Sequence, residues 1–247
     1  MIYFCIPAYN EAATVGLSMY KIGEVMKQVN REYELIVLND GSTDETLHVV
    51  NSYERILPLR VINVEKSQGM GPSLKTLLKE VVKRSIFPER DLIVTIGADF
   101  SQSPSVVPSM VREVEGGADL VIASSFAKGS ALMNTPVLFK VLNSILYILM
   151  RNLYGIGGVK DYISSFRIYR VSLIKRAMDL FGDRVISLQG RSANTELLLN
   201  LNQLNPRIVE VPLIYRFDVR KRDSGGGIHR ISWEYVQMIT RLWLSRR

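Results

Sequence analysis

A single cysteine, Cys5, is present in 247 residues, so no internal disulfide can form and a reducing compartment is the expected setting. The opening residues, "IYFCIPAYNE", lack the basic stretch and long apolar run of a secretion leader, so no export is expected. A comfortable membrane span, which needs about 20 predominantly apolar residues, is also missing. The most hydrophobic stretch, 131–150, contains Asn134, Pro136, Lys140, Asn143 and Ser144. There is no internal repeat and no low-complexity linker, and the one Gly-rich segment, "RDSGGGIHR" (222–230), reads as a loop.

The chain is 47% hydrophobic, which is ample for a packed core, and its length suits one large α/β domain. Charge is divided unevenly. Residues 1–150 carry 14 Lys and Arg against 16 Asp and Glu, whereas residues 151–247 carry 17 against 8. A basic C-terminal part suits phosphate groups on a nucleic acid, a lipid or a phosphorylated substrate. Nucleic acid is disfavoured, because neither aromatics interleaved with the charges nor a helix-turn-helix pattern is evident.

Five apolar runs rich in β-branched residues, at 2–7, 34–40, 59–64, 91–99 and 118–125, read as buried parallel strands. Between them, 11–30, 43–56, 71–85 and 104–115 have helical spacing. Strand and helix alternating from residue 2 predict a mostly parallel α/β sheet with helices on both faces. In such sheets ligands bind beyond the carboxyl ends of the strands. The turns that matter are therefore "PAYNEA", "NDGSTDET", "EKSQGMGPS", "GADFSQSP" and "SSFAKGS". Taken singly, their Asp, Asn, Gly and Ser residues could serve only as turn formers and helix caps.

Two later segments are amphipathic. In 137–151, Val137, Val141, Ile145 and Leu149 share one helical face opposite Lys140, Asn143, Ser144, Tyr147 and Arg151. That pattern fits a helix lying at a membrane surface or one packed on the core, and periodicity leaves both open. The terminal "ISWEYVQMITRLWLSRR" mixes Trp233, Tyr235 and Trp243 with Arg241, Arg246 and Arg247, again suited to lipid head groups or to packing on the sheet.

Taken in order, "IPAYNEA", "VLNDGSTDET", "QGMG" and "GADFSQSP" resemble the nucleotide-sugar domain of family 2 glycosyltransferases, which has the GT-A fold. "DYISSFRIYR" (161–170), "NTELLLNLN" (194–202) and "VPLIYRFDVRKRDSGGG" (211–227) resemble the polyprenyl-phosphate (dolichyl-phosphate) mannosyl- and glucosyltransferases within it. The resemblance implies a catalytic domain over 1–230, with a nucleotide-sugar half at 1–125 and an acceptor half at 126–230 that includes an interface helix at 137–151. An amphipathic basic helix at 231–247 would follow.

The resemblance places donor contacts at Pro7, Ala8, Tyr9, Glu11, Asp40, Gly69 and Asp99, with Gly69 and Gly71 letting backbone approach the ligand. It implies Mg²⁺ or Mn²⁺ against the leaving diphosphate, held by Asp99 with Ser101 or Gln102. Where the family has Asp-Ala-Asp, this chain has Gly97, Ala98 and Asp99, so one carboxylate is lost; Ser125 and Phe126 also stand where relatives carry a basic residue after the Ser. Lys128 is a candidate substitute cation. On the acceptor side the resemblance assigns Ser165 and Arg167, then Arg220 and Arg222 with His229 and Arg230 beyond. Asp99, Arg167 and Glu196 are the residues it places at the chemistry, Glu196 as an orienting acid rather than a base.

The expected activity is inverting transfer of a hexose from a nucleotide diphosphate sugar, of the GDP-mannose or UDP-glucose type, to a polyprenyl phosphate. It would occur at the cytoplasmic face of a membrane, with peripheral attachment or a membrane-protein partner. A family 2 enzyme with a glycan or soluble acceptor, or an inert nucleotide-sugar-binding paralogue, are the competing readings.

Overall fold

A computed structural model describes residues 1–135, 137–219, 233–238 and 240. Within them one sheet of seven strands runs in the order β3-β2-β1-β4-β7-β5-β8. Its members are β1 (Ile2–Ala8), β2 (Tyr33–Asp40), β3 (Leu59–Val64), β4 (Leu92–Thr95), β5 (Leu120–Ser124), β7 (Arg167–Arg170) and β8 (Ile208–Pro212). Two short strands, β6 (Ala131–Met133) and β9 (Ile214–Arg216), pair in parallel as a separate ribbon. All five apolar runs form strands of the main sheet.

The sheet is covered on both faces, as a parallel sheet must be. On one face, α1 (Val15–Met26) and α4 (Val107–Glu115) bury Val15, Met19, Ile22, Met110 and Val114 against Ile2, Phe4, Ile6, Val37 and Val94, and the short α2 (Thr46–Ser52) adds Val50. On the other, α3 (Met70–Arg84), α6 (Val171–Phe181) and α7 (Ala193–Asn202) bury Leu74, Leu77, Val81, Ile174 and Leu198 against Tyr3, Cys5, Ile36 and Ile93. Strands whose alternate residues feed two cores read as continuous apolar runs, which is why β1, β2, β4 and β5 are so plain in the sequence.

Three expectations change. The run at 59–64 is an edge strand, not a buried one: β3 pairs only with β2, and Arg60 and Asn63 face solvent. The run at 91–99 stops pairing at Thr95, opposite Cys5, and residues 96–99 leave the sheet towards its rim. Finally, β7 inserts between β4 and β5 antiparallel to both, with Thr95 opposite Arg167. Its sequence, "RIYR", is too short and too charged to announce a central strand.

The 137–151 segment is helical, as α5 (Val137–Tyr154). Leu146 and Met150 enter the core, while Val137 (75% exposed), Val141, Ile145, Ile148 and Leu149 face outward. Of the proposed terminal helix, residues 233–238 and 240 are helical, and the rest lies outside the described residues. Among the described residues no helix is long and apolar enough to cross a membrane.

Cys5 lies in the middle of β1 with no exposed surface, and burial pushes its thiol well above its ordinary range. Thiolate is the reactive form. The native protein should therefore resist a thiol reagent such as dithionitrobenzoate and react at one site per chain in guanidinium. Rapid reaction of the native protein would show that this face of the sheet opens readily.

Candidate active site

The order of strands reverses at β1, which has β2 on one side and β4 on the other. Loops leaving these strands at their carboxyl ends diverge to opposite faces, and the crevice between them is the natural ligand site of such sheets. A cleft of about 270 Å³ opens there. Pro7, Ala8, Tyr9 and Glu11 line it from β1, Asp40 from β2, Gly69 from the turn into α3, and Asp99 from beyond β4. The seven residues expected at a donor site therefore share one cleft.

Hydrogen bonds between these loops fix its walls. Asp40 is 5% exposed, and its Oδ2 accepts from the Gly69 amide (2.9 Å) and the Ser67 hydroxyl (2.8 Å) while its Oδ1 accepts from the Gln68 amide (2.9 Å). Asp40 thus holds the 67–69 turn as well as lining the cleft. Gly69 takes φ +96°, a conformation side chains disfavour, and a Cβ there would lie 2.8 Å from the Gln189 carbonyl. Next to it, the Gly71 amide donates to that same carbonyl at 2.9 Å. On the β1 side, Asn10 sits at φ +54°, exchanging hydrogen bonds with Ser42 and Thr43, while the Glu11 amide donates to Thr46 Oγ1 at 2.7 Å. "YNE" and "GSTDET" are thereby laced together, each satisfying the other's amides.

The corner at 97–102 is built around Asp99. Its Oδ1 accepts from the Ser101 amide (3.1 Å) and hydroxyl (2.6 Å). Phe100 between them is held at φ +54°, which costs a non-glycine residue about 1–2 kcal/mol. A Cβ at Gly97 would lie 3.3 Å from Asp99 Oδ1, so an acid at 97 would stand directly against Asp99. Glycine leaves Asp99 without that neighbour. Ser101 and Gln102 are 3% and 7% exposed and do not line the cleft. Gln102 Oε1 instead accepts from the Gly97 amide and the Ser165 hydroxyl, both at 3.4 Å. The expected trio of cation ligands therefore narrows to Asp99, with Ser101 and Gln102 shaping the turn that presents it.

Among the described residues no three His, Cys, Asp or Glu side chains gather to hold a metal ion. One carboxylate at a cleft is still compatible with a hard cation that keeps its waters and takes phosphate oxygens from a substrate.

The acceptor-side assignments fare differently. Ser165 is brought to the Asp99 corner through Gln102, and its carbonyl accepts from Thr95 Oγ1 at 2.6 Å. Arg167 does not face the cleft. It has no exposed surface, and its guanidinium donates to the carbonyls of Asn194 (2.6 Å) and Tyr162 (2.9 Å), tying β7 to the start of α7. That geometry makes it a structural strut rather than a phosphate ligand. Glu196, 5% exposed, accepts from the amides of Ser187 (2.8 Å) and Leu188 (2.9 Å) and from the Ser187 hydroxyl. It braces the 187–191 wall and is not among the residues that line the cleft. Lys128 is exposed and away from the cleft lining. Arg220, Arg222, His229 and Arg230 lie outside the described residues.

Sequence reasoning missed two groups. Gln189, Gly190, Arg191 and Glu234 line the cleft from elements far along the chain, with no motif to flag them. Asp161, inside the quoted "DYISSFR", also went unremarked; it accepts from the amide (2.8 Å) and hydroxyl (2.7 Å) of Ser125 and from the amides of Ile163 and Ser164. It joins the end of β5 to the segment entering β7. Glu210 backs it, accepting from the Lys160 and Asp161 amides, and burial pushes its carboxyl above the usual range.

Residues 3–177 match the sequence model of the family described as "Glycosyl transferase family 2". Among curated proteins, the chain is 25% identical over 239 residues to a dolichol-phosphate mannosyltransferase of Pyrococcus furiosus, covering 96% of this chain and 62% of that protein. It is 30% identical over 176 residues to a dodecaprenyl-phosphate galacturonate synthase of Rhizobium johnstonii, covering 69% and 48%. A polyprenol monophosphomannose synthase of Mycolicibacterium smegmatis is 25% identical over 212 residues, covering 85% and 75%. The chain thus spans about three fifths and one half of the first two relatives' lengths. Among solved structures, glucosyl-3-phosphoglycerate synthase from Mycobacterium tuberculosis superposes with a TM-score of 0.65 at 21% identity, covering the whole of this chain and 80% of that one. The same enzyme in complex with Mn²⁺, uridine diphosphate and phosphoglyceric acid gives 0.64 at 20% identity, covering 78% of its chain. At this identity the likeness establishes the fold, that of the GT-A glycosyltransferases.

The Glu196 assignment has a direct check. Glu196→Ala leaves the part-buried amides of Ser187 and Leu188 without their acceptor, a loss of about 1 kcal/mol for each hydrogen bond. Thermal or urea unfolding should register the loss, while Glu196→Gln, which keeps one acceptor oxygen, should lose less. An unchanged stability in Glu196→Ala, with activity abolished, would return Glu196 to the chemistry.

Proposed function

The chain belongs to glycosyl transferase family 2, and we propose that it transfers a hexose from a nucleotide diphosphate sugar to a polyprenyl phosphate, with inversion, at a membrane surface. The observation that carries this reading is the convergence of Pro7, Ala8, Tyr9, Glu11, Asp40, Gly69 and Asp99 on one cleft at the strand-order reversal. Three of the relatives are named for polyprenol or dolichol phosphate acceptors. The outward apolar face of α5 favours a lipid over a soluble acceptor, since Val137, Val141, Ile145 and Ile148 are about half exposed or more and have no core to fill.

The chemistry asks little of an acid or base. A lipid phosphate oxygen is already ionised at neutral pH and can attack the sugar carbon directly, so the protein's task is to align two phosphorylated molecules and offset their charge. In this reading the loops after β1 and β3 hold the nucleotide, Gly69 allows its close approach, and Asp99 faces the diphosphate; Gly71, expected to do the same as Gly69, is instead buried against the Leu188 and Gln189 carbonyls and does not line the cleft. Mg²⁺ or Mn²⁺ held by Asp99 together with diphosphate oxygens would supply the positive charge that the leaving group requires. Cytoplasmic placement, and a membrane-protein partner, remain part of the proposal.

Two measurements test it. Membrane extract supplied with radiolabelled GDP-mannose or UDP-glucose and the purified protein should place label in the lipid phase, and Asp99→Ala should lower that transfer by about 100-fold or more, a loss typical of removing one charge-stabilising group. Label confined to water-soluble product would favour a soluble acceptor, and no transfer with any donor would favour an inert paralogue. Separately, replacing Ile145 and Ile148 by Glu should abolish sedimentation with anionic vesicles without changing the unfolding midpoint appreciably, because both side chains are more than half exposed. Unaltered vesicle binding would remove α5 from the membrane contact.

A further inference from the structure

The donor cleft includes one residue whose position no motif explains. Arg191 lines it from the turn that leads into α7, far along the chain from Asp99. Among the described residues that line the cleft it is the only lysine or arginine. Its main chain is tightly held. The Arg191 amide donates to Glu234 Oε2 at 2.8 Å, and its carbonyl accepts from the Asn194 amide at 3.2 Å and from Asn194 Nδ2 at 3.4 Å. Two residues earlier, the Gln189 carbonyl accepts from the Gly71 amide at 2.9 Å, and Asp40 holds the 67–69 turn that leads to Gly71. A hydrogen-bonded path of a few residues therefore sets the place of Arg191 relative to Asp40, and both line the cleft.

The side chain contrasts with that backbone. Four of the described arginines are half-buried or buried: Arg31, Arg167, Arg170 and Arg191. Three of them give their guanidinium to main-chain carbonyls, Arg31 to Arg90, Arg167 to Asn194 and Tyr162, and Arg170 to Ala118, Glu89 and Val114. These three brace the fold. The Arg191 guanidinium makes no hydrogen bond or ion pair with another described residue. A cation partly withdrawn from water loses hydration, and a partner of opposite charge offsets that loss. The guanidinium presents five donors in a planar fork that matches the oxygens of a phosphate two at a time.

We infer that Arg191 is a diphosphate-binding residue: its guanidinium takes phosphate oxygens of the nucleoside diphosphate from the α7 side of the cleft and offsets the charge that grows on the leaving group. The inference rests on the proposed donor site. It adds to the cation at Asp99 a second positive charge that belongs to the chain itself and is set in place before the ligand arrives. Charge fixed in advance in this way needs no rearrangement at the moment of transfer.

Calorimetry with UDP and with GDP, each with and without Mn²⁺, tests this on the wild type, Arg191→Gln and Arg191→Lys. Arg191→Gln should bind the preferred ligand about 10- to 100-fold more weakly than the wild type, the effect of losing a charge-assisted hydrogen bond, whether or not Mn²⁺ is present. Arg191→Lys keeps the charge without the fork and should lose less. The unfolding midpoints of the three ligand-free proteins should agree, because the guanidinium bonds to no other described residue. The inference is overturned if the wild type binds either ligand and Arg191→Gln binds it equally well. It is also overturned if weaker binding comes with a clear fall in the unfolding midpoint, which would make Arg191 another brace. If the wild type itself binds neither UDP nor GDP, the donor site falls, and the role of Arg191 with it.

Discussion

The saturation of one buried carboxylate holds the cleft together. Asp40 accepts three hydrogen bonds from residues 67–69, and bonds from backbone amides to an ionised acceptor are about twice as strong as neutral ones. Because the turn is fixed, Gly69 can hold its positive φ and deliver Gly71 to the Gln189 carbonyl. Because Gly71 is delivered, the 187–191 segment becomes a wall of the cleft, braced from behind by Glu196 and met in front by Glu234. Remove the Asp40 carboxylate and donors on both sides of this chain lose their reference point.

This construction separates two roles that similar residues could have played. The acids at the rim are consumed mostly by geometry: Asp40 and Glu196 satisfy part-buried loop amides, Asp161 a buried one, and Arg167 buried carbonyls. Such groups are costly to leave unpaired, and of the Arg167 guanidinium only Nε lacks a hydrogen-bond partner among the described residues. The residues left to face a ligand are fewer: the β1 loop, Asp99 and Arg191 among them. Chemistry with a phosphate nucleophile tolerates that economy, because it calls for alignment and charge offset more than for proton transfer. The apolar outer face of α5 suits the same chemistry, since a lipid-borne nucleophile must be met where it lies.

Much of the fold was legible because doubly covered strands have a distinctive composition. β1, β2, β4 and β5 feed cores on both faces, and runs such as "FCI" and "LIVT" allow little else. The donor cleft was legible for a related reason. In a parallel sheet every strand ends at the same rim, so residues such as Tyr9, Asp40 and Asp99, spread over 90 positions, were bound to meet once the strands were recognised. The edge position of β3 was hidden, since an apolar run does not state how many neighbours its strand has. β7 was hidden more deeply, because a four-residue strand held by Arg167 through main-chain carbonyls leaves no periodic trace.

The sequence by itself determined that strands and helices alternate and that the turns carrying Asn, Asp and Gly lie at one edge. Local pattern is sufficient for each of these, because period, turn chemistry and strand direction act over a few residues. Tertiary structure alone decided that Arg167 and Glu196 are braces, that Ser101 and Gln102 serve a turn, and that Glu234 stands in the cleft. Whether a charged side chain braces the fold or faces a ligand depends on which buried amides and carbonyls happen to lack partners around it. Those partners are brought near by packing between segments far apart in the chain.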